Sequence, residues 1–144
     1  DRDSGKLEDF WRTIAPNSPQ IVTSTRNVEI AKISLNFMLT LKIALANCLG
    51  HFCERHEGNI EEIVDAFKYD TRLSGKRMWK TGLGFGGPCF PKDIDNWLYH
   101  NPDNPLGLAV KKENKSVFEK SIRYIKSFRV KGTVAILGLT YKPD

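Results

Sequence analysis

The sequence lacks a long uncharged apolar run and an apolar leader. Lys32 and Lys42 interrupt its most apolar stretch, whereas a membrane-spanning helix needs about 20 mostly apolar residues. Residues 1–4 are charged or polar, and no apolar core of the kind found in signal peptides follows them. We therefore expect a cytoplasmic protein that contacts no membrane.

Cysteine is also scarce. The chain has three cysteines, Cys48, Cys53 and Cys89, and no Cys-x-x-Cys pair. An odd number without paired spacing argues against a disulfide framework and against a four-thiolate zinc site. His51 and His56 flank Cys53, but a metal site there would need a fourth ligand, so we expect no metal.

The composition is that of a folded chain, with 40% hydrophobic and 27% charged residues among 144. The net charge of +5 favours an anionic partner, such as a phosphorylated metabolite or nucleic acid. The densest basic group, between Lys111 and Lys131, is interleaved with Glu113 and Glu119, as on the solvated face of a helix. We therefore expect no nucleic-acid binding.

Helical periodicity dominates the middle of the chain. Residues 27–57 contain no proline and one glycine, and about 30 helical residues make a rod of roughly 45 Å. A rod that is apolar on most faces must be covered on most sides, which favours a homodimer packed on this helix. Its regularly spaced apolar residues are Ile30, Ile33, Phe37, Leu41, Ala44, Leu45, Leu49 and Phe52.

Further helices are predicted before and after this helix in the sequence. Asn59 and Glu62 form a capping pattern that starts a helix with Ile60, Ile63, Val64 and Phe67 facing inward. After a long loop, Asp93 is the expected N-cap of a helix over 94–99. The remaining predicted helices cover residues 7–14 and about 106–128, and short strands are predicted at 21–23 and 133–139.

Residues 82–93 carry the pattern richest in chemistry. Four glycines within six residues let backbone N–H groups approach a ligand, which suits phosphate or sugar oxygens. Cys89, Lys92 and Asp93 follow directly. A cysteine near a helix N-terminus and beside a lysine is a strong nucleophile, but a glycine-rich turn before a small buried cysteine fits the same residues.

Lys32 and Asn36 are four residues apart and so share one face of the long helix, which Thr40 and Asn47 extend. Together they could polarise an oxygen and stabilise developing negative charge. A lysine that reaches solvent beside a surface amide explains the same spacing. The residues alone leave both interpretations open.

These motifs carry a family resemblance. Residues 84–93 closely resemble the active-site signature of the UDP-glucose/GDP-mannose dehydrogenase family. Residues 29–32 with Asn36 resemble its central-helix motif, residues 70–72 resemble its Asp-x-Arg motif, and residues 134–144 resemble the start of its C-terminal UDP-binding domain. The matches occur in the family's order.

The resemblance implies a mainly α fold, the dimerisation domain of an α/β dehydrogenase, with strands at both ends from flanking Rossmann-like domains. Residues 1–24 would be the tail of an N-terminal NAD-binding domain. Residues 25–131 would form the central helical domain, and residues 132–144 would begin the C-terminal UDP-binding domain. Because NAD would be bound mainly by the N-terminal domain, we expect this chain to be inactive alone.

The resemblance also implies a four-electron oxidation of a nucleotide sugar, such as UDP-glucose, to its uronic acid. The C6 alcohol would give one hydride to NAD, and the Cys89 thiolate would attack the resulting aldehyde. The thiohemiacetal would give a second hydride, and the thioester would hydrolyse. Lys32 would stabilise the oxyanion, Asn36 would hold it with a water, and Asp93 would orient Lys32 or assist hydrolysis.

The same resemblance assigns the binding residues. Cys89 and Lys92 would lie near the cofactor, and Arg72 would reach into the partner subunit's site. The residues expected to contact the nucleotide sugar are Lys32, Asn36, Arg72, Lys80, Thr81, Gly82, Leu83, Gly84, Phe85, Gly86, Tyr141 and Lys142.

Two alternatives remain at this stage. One is a dimerisation module without chemistry. The other is the helical domain of a β-hydroxyacid dehydrogenase, which needs Lys32 and Asn36 but no thiol, so that Cys89 argues against it. The sequence does not distinguish UDP-glucose from UDP-N-acetyl sugars or GDP-mannose.

Overall fold

The computed structural model describes residues 4–67, 69–73, 79–128 and 131–138. These residues form helices and one 3-10 turn, Thr71–Leu73, and none of them lies in a strand. The chain consists of two compact units, the first ending at Lys32 and the second beginning at Ile33. The helices are α1 Ser4–Ile14, α2 Thr25–Arg55, α3 Ile60–Phe67, α4 Phe90–His100 and α5 Pro105–Ser127. The expected mainly α fold is confirmed.

The long helix α2 begins two residues earlier than its apolar spacing predicts, because Ser24 caps it. The Ser24 hydroxyl accepts a hydrogen bond of 3.3 Å from the Asn27 N–H, one of the N–H groups that a helix start leaves unpaired. Asn27 also donates from its side chain to the Thr23 hydroxyl at 2.8 Å. These polar residues fix where the helix begins.

The other end of α2 is closed by a left-handed residue. Glu57 has φ 55°, and the Gly58 N–H donates to the Cys53 carbonyl at 2.9 Å. This geometry closes many helix C-termini, although glycine is the usual residue at the left-handed position. Glu57 therefore holds a conformation that is unfavourable for a residue with a Cβ.

In the second unit, the buried face of α2 is more polar than its sequence suggests. Asn36, Thr40 and Asn47 are buried, while large apolar side chains are exposed, Met38 to 61% and Phe52 to 59%. One chain therefore leaves an apolar α2 surface uncovered, as a homodimer packed on this helix would require. The homodimer itself stays a prediction.

By length and composition alone, α2 is apolar enough to cross a membrane, which the interruptions at Lys32 and Lys42 did not lead us to expect. The core helix of a globular domain meets the same criterion, and 44% of the most apolar window of α2 is buried inside the protein. The finding is weak evidence for a membrane span.

Side-chain caps begin α3 and α5. The Asn59 side-chain Oδ1 accepts from the Glu61 N–H at 2.9 Å, which confirms Asn59 as the N-cap. Glu62 completes the pattern differently from a capping box, since it accepts from the Asn59 Nδ2 at 3.1 Å. In the same way, Asn104 accepts from the Gly107 N–H at 2.9 Å at the start of α5. Both helices begin where an asparagine replaces the missing backbone partner.

The predicted inward face of α3 is wrong for Ile63. No described side chain of α3 is buried, and Ile63 is 38% exposed. Ile60 and Val64 instead line a cavity of about 370 Å³ together with Trp79. The apolar side of this short helix thus faces a cavity instead of a packed core.

The start of α4 also differs from its prediction. The helix begins at Phe90 with Cys89 as N-cap, so the expected cap at Asp93 is wrong. Pro91 stands in the first turn, where a proline lacks only an N–H that the helix would leave unpaired. The helix therefore includes residues 90–93, which were predicted as loop and cap, and Asp93 is a buried residue of its first turn.

The core of the second unit lies among α2, α4 and α5. Phe37, Ala44, Ile94 and Val110 are buried together. Trp97 stacks on Phe37, with ring centroids 4.5 Å apart and an interplanar angle of 9°. This packing fixes α4, and with it Cys89, against the middle of α2.

The two predicted strands fall in irregular segments. Residues 21–23 and 133–138 carry no regular structure, and residue 139 lies outside the described residues. A strand is stabilised by pairing with another strand, and no strand partner lies in the described ranges. The strands and the domain boundaries at 24 and 131 stay predictions.

Candidate active site

The glycine-rich loop is anchored at its start by a buried tryptophan. Trp79 is 7% exposed and contacts Phe67 edge to face at 5.4 Å. The Lys42 ammonium lies 4.9 Å from its ring centroid, a cation–π contact. Sequence reasoning missed Trp79, which stands in a segment that reads as loop.

Two asparagines from different helices hold the loop by its backbone. Asn47 of α2 accepts a hydrogen bond from the Gly82 N–H at 2.8 Å. Asn114 of α5 accepts from the Phe85 N–H at 2.7 Å and donates to the Phe85 carbonyl at 3.0 Å. The N–H groups of Gly82 and Phe85 are therefore bonded within the fold. The other glycines have no side chain to keep a ligand away from the loop backbone.

Glycine is required at two points of this loop. Gly84 has φ 91° and Gly87 has φ 76°, a region that residues with a Cβ rarely adopt. A methyl group built on Gly84 would also overlap the Asn114 side-chain oxygen. The glycines thus serve the path of the loop as well as ligand approach.

The loop presents an accessible surface. Phe85 and Gly84 are half-buried, whereas five other residues expected to bind substrate are exposed: Lys80, Thr81, Gly82, Leu83 and Gly86. Thr81, Gly82 and Leu83 also form one edge of a groove of about 850 Å³ between α2 and α5. The predicted sugar-nucleotide residues of this segment therefore lie where a ligand can reach them.

Cys89 has the placement expected of a nucleophile. Its thiol is exposed, and it is the N-cap residue of α4, with its carbonyl accepting from the Asp93 N–H at 2.9 Å. Of the alternatives that the sequence leaves open, the small buried cysteine is thereby wrong. Cys53 is buried and Cys48 is exposed, so Cys48 does not lie on a face packed within one chain.

Asn36, Lys92 and Asp93 form one hydrogen-bonded cluster. The Asn36 Nδ2 donates to one oxygen of the buried Asp93 carboxylate, and the Lys92 ammonium donates to the other. The hydrogen bond and negative charge of Asp93 raise the pKa of Lys92, although the Lys92 side chain is 70% exposed. Lys92 and Asp93 lie in the first turn of α4, directly after Cys89, and Asn36 reaches them from α2.

The remaining predicted residues are placed less completely. Lys32 lies in the first unit, four residues before Asn36 along α2, and is exposed. Arg72 belongs to the 3-10 turn Thr71–Leu73. Tyr141 and Lys142 lie outside the described residues. The structure therefore brings together Asn36, Cys89, Lys92, Asp93 and the glycine loop.

Asn114 is a second residue of this site that sequence reasoning missed. It lies on α5 between Val110 and Val117, both buried, at spacings of four and three residues. A lone amide inside an apolar helical stripe was the available signal, since a buried polar group needs a partner. That partner, the Phe85 backbone, is 29 residues away in sequence.

Comparison with known proteins gives a consistent picture. Residues 26–116 match the UDP-glucose/GDP-mannose dehydrogenase family, central domain. The chain is 34% identical over 135 residues to a putative UDP-glucose 6-dehydrogenase, YtcA, of Bacillus subtilis, covering 89% of this chain and 31% of that protein. It is 38% identical over 130 residues to a UDP-glucose 6-dehydrogenase of Rickettsia felis, covering 85% of this chain and 29% of that protein.

A solved structure shares the fold. The chain matches a UDP-glucose dehydrogenase from the hyperthermophilic archaeon Pyrobaculum islandicum with a TM-score of 0.71 and 31% identity. The match covers 88% of this chain and 29% of that one. The chain thus spans about 30% of the length of the proteins to which it is similar.

Proposed function

Since the chain belongs to the UDP-glucose/GDP-mannose dehydrogenase family, we propose that it is the central domain of an NAD-dependent nucleotide-sugar 6-dehydrogenase that acts on UDP-glucose. Relatives that bear the name UDP-glucose 6-dehydrogenase support this substrate. The observation that carries the proposal is the exposed Cys89 thiol at the start of α4, one turn before a buried carboxylate bonded to Asn36.

Cys89 supplies the covalent chemistry. Its thiolate sulfur adds to C6 of the aldehyde formed from the sugar alcohol, and the carbonyl π pair becomes an oxyanion on O6. After the second oxidation the sulfur holds the acyl carbon as a thioester. Water then attacks that carbon and the thiolate leaves, which releases the uronic acid and restores Cys89.

The O6 oxygen becomes negatively charged during the reaction, and we assign its stabilisation to Asn36, Asp93 and Lys32. Asp93 accepts from the Asn36 Nδ2, which orients the amide without using its other N–H. We assign oxyanion stabilisation to Lys32, because a positive charge favours the oxyanion over the neutral aldehyde. Asp93 also binds Lys92, so its negative charge is balanced within the cluster.

The fit of NAD to this chain is partial. When bound, NAD would supply the hydride acceptor for both oxidations at C6. The described residues contain no strand and hence no strand–helix–strand unit of the kind that binds dinucleotides. The exposed Cys89 thiol and Lys92 ammonium would form one edge of the cofactor site, and the N-terminal domain would provide the rest.

The proposed enzyme is a homodimer. The exposed apolar side chains of α2, such as Met38, Leu45 and Phe52, provide a surface that a second copy would cover. Arg72 follows α3 in a short turn, and we assign it to the partner subunit's site. Tyr141 and Lys142 would approach the uridine and diphosphate from the C-terminal domain.

The test is a joint measurement of NADH and uronate with a complete enzyme that contains this chain. UDP-glucose should yield two NADH per uronate, while the chain alone should yield none. One NADH per product would indicate a β-hydroxyacid-type enzyme, and ligand-free dimers without turnover would indicate a dimerisation module. Faster oxidation of a UDP-N-acetyl sugar or GDP-mannose would reassign the substrate.

A further inference from the structure

We propose that Asn114 is a positioning residue that holds the substrate-lining loop in its binding conformation before the ligand arrives. The effect on substrate binding rests on the proposed function, whereas the hydrogen bonds of Asn114 to the loop are observed in the structure. Asn114 lies on α5, outside the glycine loop, the α2 motif and the α4 cluster that carry the proposed chemistry.

The Asn114 amide satisfies both backbone groups of Phe85. Its oxygen accepts from the Phe85 N–H at 2.7 Å, and its nitrogen donates to the Phe85 carbonyl at 3.0 Å. A planar amide that bonds both groups fixes the orientation of the peptide as well as its position. Phe85 is half-buried against the core, so these groups cannot turn to bulk water without opening the loop.

The neighbouring glycine is fitted to this amide. Gly84 has φ 91°, and a methyl group at that position would overlap the Asn114 oxygen. Asn47 gives a second anchor, three residues before Phe85, where it accepts from the Gly82 N–H at 2.8 Å. The loop is therefore held from α5 at one point and from α2 at another.

Apart from the edge-to-face contact of Phe85 with Phe90, whose ring centroids are 6.2 Å apart, the helix that carries Cys89 is held by contacts outside the loop. α4 is fixed by Ile94 and Trp97 in the core and by the Asn36 bond to Asp93. None of these contacts involves Asn114. Loss of Asn114 should therefore release the loop that lines the nucleotide sugar while the thiol and its cluster keep their positions.

This separation predicts a division between kinetic constants. An interaction made equally in ground and transition states lowers KM and leaves kcat unchanged, and ordering a binding loop in advance acts in this way. In the complete enzyme, Asn114→Ala should raise the KM for UDP-glucose about 10-fold or more and change kcat less than about threefold. Asn114→Asp keeps the acceptor and loses the donor, so its KM should lie between.

Hydrogen exchange supplies a readout that does not depend on turnover. In the chain alone, the Phe85 amide should exchange at least about 10-fold faster in Asn114→Ala than in the unmutated protein, since its bonding partner is lost. Asn101→Ala is the matched control. It removes another asparagine that bonds a backbone carbonyl, that of Trp97 at 3.1 Å, but at the exposed far end of α4.

The outcomes separate the two proposals. Unchanged Phe85 exchange in both Asn114 variants would overturn the positioning role, whatever the activity. Faster exchange with unchanged KM, or a fall in kcat alone, would overturn it as well, because Asn114 would then be only structural. If the unmutated enzyme shows no saturable response to UDP-glucose, the proposed function fails, and the exchange comparison still decides whether Asn114 holds the loop.

Discussion

Replacing Gly84 with alanine tests the fit between the glycine loop and α5. Gly84 has φ 91°, and the left-handed region costs a residue with a Cβ roughly 1–2 kcal/mol. The added methyl would also overlap the Asn114 oxygen, so the amide would have to leave Phe85. Each of the two lost hydrogen bonds contributes about 0.5–1.5 kcal/mol.

The two effects predict a measurable coupling. Gly84→Ala alone should lower the free energy of unfolding by about 2–5 kcal/mol, the sum of the backbone and hydrogen-bond costs. In an Asn114→Ala background the overlap is absent, and the same change should cost only the backbone part, about 1–2 kcal/mol. The coupling energy between the two sites is therefore about 1–3 kcal/mol.

Urea unfolding followed by far-ultraviolet circular dichroism measures the four proteins of this cycle. Gly82→Ala is a control, because a methyl group there meets no atom within 4 Å and Gly82 does not hold a left-handed φ. Additive effects of Gly84→Ala and Asn114→Ala would show that the added methyl and the Asn114 amide do not compete for one space.

Three further predictions concern the helix end, the assembly and the site. Glu57→Gly should raise the free energy of unfolding by about 0.5–1 kcal/mol in urea, since it removes the Cβ from a left-handed residue. Light scattering at roughly micromolar concentration should give the mass of a dimer for the unmutated chain, and a monomer would contradict this. Met38→Glu should shift the chain to a monomer, since that exposed side chain would be buried between copies. In the complete enzyme, Lys32→Ala should lower kcat far more than it weakens UDP-glucose binding, and a rise in KM alone would reassign Lys32 to ground-state binding.

Local patterns predicted the helices better than their surroundings. The spacing of apolar residues located α2 and α5, and Asn59 marked the start of α3, because caps and periodicity depend on near neighbours. The start of α4 was misplaced because Asp93 is a preferred N-cap residue, whereas Cys89, which takes that position, is not. The exposure of Ile63 and Cys48 depends on what packs against them, which no local pattern specifies.

The chemical groups of the site were also predicted, but not what holds them. Cys89, Lys92 and Asp93 are close in sequence, and Asn36 was found by its helical spacing from Lys32. The roles of Asn114 and Trp79 were not predicted, because Asn114 contacts Phe85, which is distant in sequence, and Trp79 contacts Phe67 across a loop. Contacts between a helix side chain and a distant loop backbone appear only in the folded chain.

The proposed role of Cys89, to carry the sugar through its second oxidation, can be tested by trapping the covalent intermediate. The complete enzyme is mixed with UDP-glucose and NAD, quenched with acid, digested and analysed by mass spectrometry. An acyl adduct should appear on the Cys89 peptide, and Cys89→Ser should form no uronate, because its hydroxyl is a far weaker nucleophile at neutral pH. If Cys89→Ser formed uronate at the unmutated rate, Cys89 would not be the nucleophile.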